Sequence, residues 1–224
     1  MSRKAPKVKR RVLIVDDHAM MRQGLAQLIN HEPDLVVAAE ADTAGQALNL
    51  IAARRPDLVL VDISLPDKSG LELTKDIQVY HPGLPVLVVS MHDESLYAER
   101  VLRAGARGYI MKQEGGKKLM EAIRHVLEGQ IYVSEKMSAR ILEVFSGHRS
   151  NSEDSSLEGL SDREFEIFRS LGQGEGTREI AERLHLSIKT VEVHRANIKR
   201  KLKLNKGAEV VRYAIRWTEA HHPQ

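Results

Sequence analysis

Three carboxylates are spaced so that one sheet edge could gather them. In RVLIVDDHAM the apolar run Val12 to Val15 ends in Asp16 and Asp17, and in LVLVDISLP the run Leu58 to Val61 ends in Asp62. Short, near-continuous apolar runs are how strands buried on both faces of a parallel sheet look. A side chain directly after such a strand sits at its carboxyl end, where open α/β sheets bind ligands. Like charges held there need a cation, and hard oxygen donors suit Mg²⁺, which takes one or two carboxylates plus a phosphate and keeps some of its waters. Asp62 on its own has the bland alternative of a turn or helix cap. Ser90 after VLVV and Lys112 after GYIM change that balance, because they add a hydroxyl and a lysine to the same edge.

Such a set suits in-line transfer of a phosphoryl group to a carboxylate. Metal and lysine neutralise the equatorial oxygens, and Asp62 is the nucleophile. No general base is required, since an Asp is ionised at neutral pH. A nucleotide or flavin site would want a Gly-rich loop after the first strand, and Asp16-Asp17-His18 stands there instead. A phosphatase of the haloacid-dehalogenase type would carry a second Asp two residues after the first, and position 64 is Ser. Asp62 is therefore expected to accept the group and hold it. His18, His31, His81 and His92 show no metal-ligand spacing and read as surface groups.

The elements that must position these residues follow from periodicity. Short apolar runs alternate with amphipathic segments for about five rounds, the pattern of an α/β domain with a parallel sheet. Strands are expected at Val12 to Val15, Leu35 to Ala39, Leu58 to Val61, Val86 to Val89 and Gly108 to Met111. Helices are expected near Ala19 to Asn30, Thr43 to Arg54, Ser69 to Tyr80, Glu94 to Ala104 and Gly116 to Glu128. Arg55-Pro56-Asp57, His81-Pro82-Gly83 and Ala104-Gly105 stop helices before the next strand.

Residues 11 to about 130 resemble the receiver domain of two-component response regulators. The resemblance is carried by Asp16-Asp17, the VDISLPDKSG box around Asp62, Ser90, Tyr109 and Lys112. It implies a flavodoxin-like domain that takes phosphate from a histidine of a sensor kinase. It implies Mg²⁺ on Asp17, Asp62 and the backbone carbonyl of Ser64, with Asp16 holding a metal-bound water and Lys112 pairing with the phosphoryl group. Ser90 would bond a phosphoryl oxygen and Tyr109 would swing inward behind it. One departure is Gln113, where many receivers have Pro; the cis peptide often found there is left open.

Residues 146 to 159 are rich in Ser, acids and Gly with one large apolar residue, Leu157, and read as linker. From Leu160 the pattern is helical throughout. Ser161 and Glu164 have the spacing of a capping box. A short helix, a turn at His185 to Ser187 and a second helix follow, then a last helix at Ala208 to Thr218.

On a helical wheel the segment after Ser187 gathers Ile188, Val191, Ile198 and Leu202 as a core stripe. Opposite lie Lys189, Val193, Ala196 and Arg200, flanked by Glu192 and Asn197. Small and polar side chains on that face suit a helix entering a major groove, and Lys199, Lys201, Lys203 and Lys206 suit phosphates at its rim. Between positions 189 and 206 there are seven basic residues and one acid, Glu192. A merely solvated basic face is the alternative, and the preceding helix and tight turn argue against it. GEGTREIAERLHLSIKTVEVHRANIKRKL, with LSDRE before it, resembles the LuxR/NarL-type four-helix DNA-binding domain. That resemblance implies that Thr190 and the outward residues face the groove and that the last helix makes a dimer contact. The last helix indeed has two apolar sides, Val210, Ala214 and Trp217 on one and Val211 and Ile215 on the other.

Composition sets the outer bounds. The chain has 224 residues, enough for one or two domains with ordinary cores. Its lack of cysteine excludes disulfides, thiolate metal sites and Cys nucleophiles. No run is long enough to cross a bilayer and no apolar secretory segment opens the sequence, so a soluble cytoplasmic protein is expected. The expected organisation is a basic tail at 1–10, a receiver at 11–130, a linker at 131–159 with a helix at 135–145, and a helix-turn-helix domain at 160–224. The reading is a DNA-binding transcription regulator of the NarL/FixJ type, not an enzyme, switched by phosphorylation of Asp62. Its expected partners are a sensor histidine kinase, double-stranded DNA bound as a homodimer on paired half-sites, and RNA polymerase. A phosphorylation-independent regulator that uses its receiver only to dimerise, and a phosphatase with fast turnover, are the alternatives.

Overall fold

The computed structural model describes residues 8–145, 157 and 159–221. Most of the expected basic tail, residues 146–156 and 158 of the expected linker and the last three residues lie outside the described residues. The chain divides into two compact units, residues 1–146 and 147–224.

The first unit is a five-stranded parallel sheet with helices between the strands. The strands are β1 (Arg10–Val15), β2 (Leu35–Ala41), β3 (Leu58–Val61), β4 (Val86–Ser90) and β5 (Gly108–Met111), in the spatial order β2-β1-β3-β4-β5. The intervening helices are α1 (Ala19–His31), α2 (Ala44–Arg54), α3 (Gly70–Tyr80), α4 (Glu94–Arg103) and α5 (Gly115–Leu127), followed by α6 (Glu135–Phe145). The two central strands are buried on both faces, which is why they read as continuous apolar runs. Alternate residues Val12, Ile14, Leu58, Leu60, Leu87 and Val89 form one core cluster with Leu25 and Ile29 of α1 and Leu119, Ile123 and Val126 of α5. Leu13, Val15, Val59 and Val61, between them, are equally buried.

Each helix boundary has a local cause. Thr43, Ser69 and Asp93 cap α2, α3 and α4 with side-chain oxygens on backbone N–H groups. Arg55 closes α2 in the left-handed region at φ 46°, and Gly105 follows α4 at φ 98°. No peptide bond among the described residues is cis, including the one before Gln113.

The stretch expected to begin the linker at residue 131 is instead attached to the first unit. Tyr132 forms a parallel bridge with Gly108: its carbonyl accepts from Tyr109 N at 2.9 Å and its own N–H donates to Arg107 O at 3.0 Å. Ser134 N donates to the Glu94 carboxylate at 2.7 Å, and Met137 of α6 is buried. Backbone pairing along an open sheet edge is what holds this segment down.

The second unit contains α7 (Asp162–Gly172), α8 (Thr177–Arg183), α9 (Ile188–Lys201) and α10 (Gly207–His221). The capping box opens α7: Glu164 N donates to Ser161 Oγ at 3.3 Å, and Ser161 N donates to Glu164 Oε2 at 2.7 Å. His185, at φ 52°, makes the tight turn between α8 and α9. Trp217 meets Phe165 and Phe168 edge-on, with ring centroids 5.6 and 5.9 Å away, so it is a core residue. Gly172 is required where α7 crosses α10, since a Cβ there would lie 2.6 Å from the Ala214 carbonyl oxygen.

Candidate functional site

Sheet order and register bring the acids together. β1 and β3 are neighbours with Val15 opposite Val61, and Asp62 N donates to Val15 O at 2.8 Å, so Asp16 and Asp62 leave the sheet side by side. The strand order reverses at β1, and the crevice lies there. Asp16, Asp17, His18 and Asp62 each place a potential ligand atom within 4.8 Å of the others. Lys112, just past β5, reaches across to Asp16 Oδ2 at 2.7 Å and Asp62 Oδ2 at 2.9 Å.

This pocket is electrostatically strained. Burial, helped by the neighbouring Asp16 and Asp17 charges and opposed by Lys112, raises the Asp62 carboxyl to about 6. Burial would lower Lys112, but Asp62 and Asp16 outweigh it and hold the ammonium above its ordinary value. Three carboxylates facing one ammonium leave two negative charges, the complement of a divalent cation. The donors are all hard oxygens apart from the His18 imidazole, so the acidic cluster fits Mg²⁺. Such an ion would neutralise developing charge on a transferring phosphoryl group.

Ser90 and Tyr109 both converge on His92. Its backbone N–H donates to Ser90 Oγ at 3.2 Å, and its carbonyl accepts from the buried Tyr109 hydroxyl at 2.7 Å. The His92 ring stacks on Tyr97 at 4.8 Å and lies 3.3 Å from Ser64 Oγ. His92 thus bridges the Asp62 loop and the loop after β4, a role its isolated position in the sequence did not reveal. His18 likewise differs from expectation: although largely exposed, its Nδ1 sits 2.6 Å from Asp17 Oδ1.

Two further supports come from distant residues. Asp67 accepts from Ala44 N and Gly45 N, both at 2.9 Å, fastening the Asp62 loop to the start of α2. Burial alone would raise the Asp67 carboxyl, but these amides hold it below the usual range. Arg22 donates to the Asp16 carbonyl at 2.6 Å. The spacing D-x-x-x-x-D in the Asp62 box was the only sequence signal for Asp67.

In the second unit α9 starts at Ser187, whose Oγ accepts from Thr190 N at 3.0 Å and lies 2.7 Å from the Thr190 hydroxyl. Thr190 is therefore engaged with the cap. Lys189, Glu192, Val193, Ala196 and Arg200 are exposed together, while Asn197 and Lys199 are partly covered. Arg200 donates to Asn197 Oδ1 at 3.0 Å. Lys201, expected at the phosphate rim, instead reaches Glu164 of the capping box at 2.6 Å. Ile188, expected in the core, is 48% exposed; at 100° per residue it lies roughly 60° off the direction of Val191 and Ile198. On α10, Val210, Ala214 and Trp217 are buried, and Val211 and Ile215 are partly exposed.

The family model "Response regulator receiver domain" matches residues 12–124, half of the chain. The chain belongs to the two-component response regulators. Its second unit matches "Bacterial regulatory proteins, luxR family" over residues 158–214. The chain is 36% identical over 210 residues to the oxygen regulatory protein NreC of Staphylococcus haemolyticus, covering 92% of this chain and 97% of that one. Among solved structures it is similar to a LuxR-family response regulator from Aurantimonas sp. SI85-9A1, at 34% identity and a TM-score of 0.57 over 62% of this chain and 99% of that one. It is also similar to ChrA, of a heme-sensing two-component system, at 28% identity and a TM-score of 0.51 over 93% and 98%. RcsB, solved as two dimers on two parallel DNAs, matches at 25% identity and a TM-score of 0.56 over 92% and 97%. This regulator is a DNA-binding protein of a two-component system. No described helix is long and apolar enough to cross a membrane.

Proposed function

We propose that the regulator is switched by transfer of a phosphoryl group from a histidine of a sensor kinase to Asp62. The bond from phosphorus to the imidazole nitrogen breaks, a bond to an Asp62 carboxylate oxygen forms, and the imidazole leaves with its electron pair. The observation that supports this reading is the cluster of buried Asp16 and Asp62 with half-buried Asp17, and Lys112 bonded to the first two. Lys112 holds the accepting carboxylate and offers its ammonium to the incoming oxygens. Asp16, Asp17, Asp62 and the Ser64 carbonyl would hold Mg²⁺. Ser90 bonds the new phosphoryl oxygen and Tyr109 closes behind it, which favours one of two receiver states. Hydrolysis of the phosphoaspartate by the regulator itself is slow and serves only to reset it.

The receiver spans 11–130 and the helix-turn-helix domain 160–224, joined by a linker. In the cytoplasm the phosphorylated form dimerises, aided by Val211 and Ile215, and binds paired half-sites about one helical turn apart. Lys189, Thr190, Glu192, Val193, Ala196, Asn197, Lys199 and Arg200 face the DNA, and RNA polymerase is the downstream partner. RcsB dimers seen on DNA support the dimeric arrangement.

A second reading has its own support. Tyr109 already has its hydroxyl on the His92 carbonyl, which suits a receiver that dimerises without phosphate. Capture of genomic fragments with Mg²⁺, with and without beryllofluoride, separates the two. About tenfold tighter binding with the mimic, ~1.4 kcal/mol, supports the phosphoswitch. Equal binding in both states supports the second reading.

A further inference from the structure

Glu192 is the one acid among seven basic residues between positions 189 and 206, and it is exposed on the face of α9 that carries Lys189, Val193 and Ala196. A carboxylate facing phosphodiesters weakens attraction to every DNA sequence alike, so affinity does not explain its place. Local structure does not explain it either. Capping of α9 is done by Ser187, and Glu192 lies beyond the first turn, where the helix dipole has faded. Of its neighbours one turn away, Ile188 and Ala196 cannot pair with it, Lys189 could but forms no ion pair with it among the described residues, and Arg195 donates to Thr177 Oγ1 instead. Among the described residues the Glu192 side chain takes part in no hydrogen bond or ion pair. Ala196, four residues on, is small and exposed, so no bulky side chain follows Glu192 on this face.

We propose that Glu192 reads a base edge and selects cytosine in each half-site, an inference that rests on the DNA-binding reading above and specifies its sequence. A carboxylate only accepts hydrogen bonds, so in the major groove it can pair with an amino group and is repelled by guanine O6 and N7 and by thymine O4. Adenine sets its N6 amino group beside the N7 acceptor, which opposes the second carboxylate oxygen. Cytosine sets its N4 amino group beside a C–H and lacks that penalty. The negative charge lowers binding to all other sequences, so Glu192 gives discrimination at the cost of general affinity.

The test is selection from a randomised duplex pool with the full-length regulator, Mg²⁺ and beryllofluoride, comparing wild type with Glu192→Ala and Glu192→Gln. Because the residue is exposed, both variants should melt as wild type does. Wild type should require cytosine at one position of each half-site, at least fivefold over any other base. Glu192→Ala should accept all four bases there, keep every other position of the motif, and bind random DNA more tightly. Glu192→Gln should move the preference to adenine, whose N6 and N7 match an amide. If Glu192→Ala selects the wild-type base at every position, the inference is overturned while the half-site reading stands. A wild-type pool with no enriched sequence overturns both.

Discussion

Gly70 stands so close to Asp62 that a Cβ on residue 70 would lie 2.0 Å from the Asp62 carbonyl oxygen. Gly70 N also donates to Ile63 O at 2.8 Å, so the first residue of α3 is pressed against the loop that carries Asp62, the proposed phosphoryl acceptor. The obstruction is backbone and cannot rotate away. Gly70→Ala is therefore predicted to displace the Asp62 loop, to cost about 3 kcal/mol or more as overpacking, and to lose binding of beryllofluoride. A variant that melts within a degree or two of wild type and still binds the mimic would contradict this contact.

Asp62 predicts a pH dependence. Its carboxyl, raised from 3.8 to about 6, is protonated in the folded state and ionised in the unfolded chain between those values. The folded state then holds more protons, so stability falls as pH rises through that window. At 1.36 kcal/mol per unit the loss by pH 7 is about 3 kcal/mol in Mg²⁺-free buffer. Thermal melts in chelator should show Tm falling between pH 4 and 7 on this account, with Mg²⁺ restoring it at the upper end. Asp62→Asn should melt higher than wild type at pH 7 without Mg²⁺ and gain less from the ion. Equal melting of the two proteins at pH 7 would remove the argument.

Among the described residues, Lys112 is the one lysine or arginine whose side chain pairs with the Asp16 and Asp62 carboxylates. Lys112→Met leaves buried carboxylates uncompensated, a loss of roughly 3–5 kcal/mol when one partner of a buried pair is removed. Mg²⁺ should recover much of that stability, because it supplies the missing charge, while acceptance of phosphate from a small phosphodonor should stay at least a hundredfold slower. Rapid phosphorylation of this variant would assign the stabilising charge elsewhere.

Lys189 and Lys201 should separate under mutation although both lie on α9. Lys201 is committed to Glu164, whose carboxyl is held below its usual range by the Lys201 ammonium and the Ser161 amide, despite burial acting the other way. Lys201→Ala should cost up to about 1 kcal/mol of stability for a partly exposed pair, seen as a modestly lower Tm, and leave the salt dependence of DNA binding unchanged. Lys189→Ala should leave Tm unchanged and reduce the salt slope by about one. Titrations from low to high salt with both variants check this.

Legibility in the sequence followed the range of the interaction. Strands β1, β3 and β4 could be read because their central stretches Val12 to Val15, Leu58 to Val61 and Val86 to Val89 are buried on both faces and so are apolar. Asp16, Asp62 and Lys112 could be placed because a residue after a parallel strand has only one place to go. The role of His92 was hidden, since two of its bonds are made by its backbone, which is the same for every residue type. Lys201 misled for the opposite reason: a lysine looks alike from the sequence whether it meets a phosphate or a carboxylate. The attachment of Tyr132 depends on main-chain pairing at a sheet edge, and one residue leaves no period to detect.

That attachment has a bearing on how a signal leaves the receiver. Tyr109 and Tyr132 share a hydrogen bond, and Ser134 is tied to the start of α4. The outgoing chain is thus grafted onto the sensing strand instead of hanging free behind it. Under the proposed switch, a change in the seat of Tyr109 would therefore act directly on the backbone bond that fixes Tyr132, the point from which the chain departs.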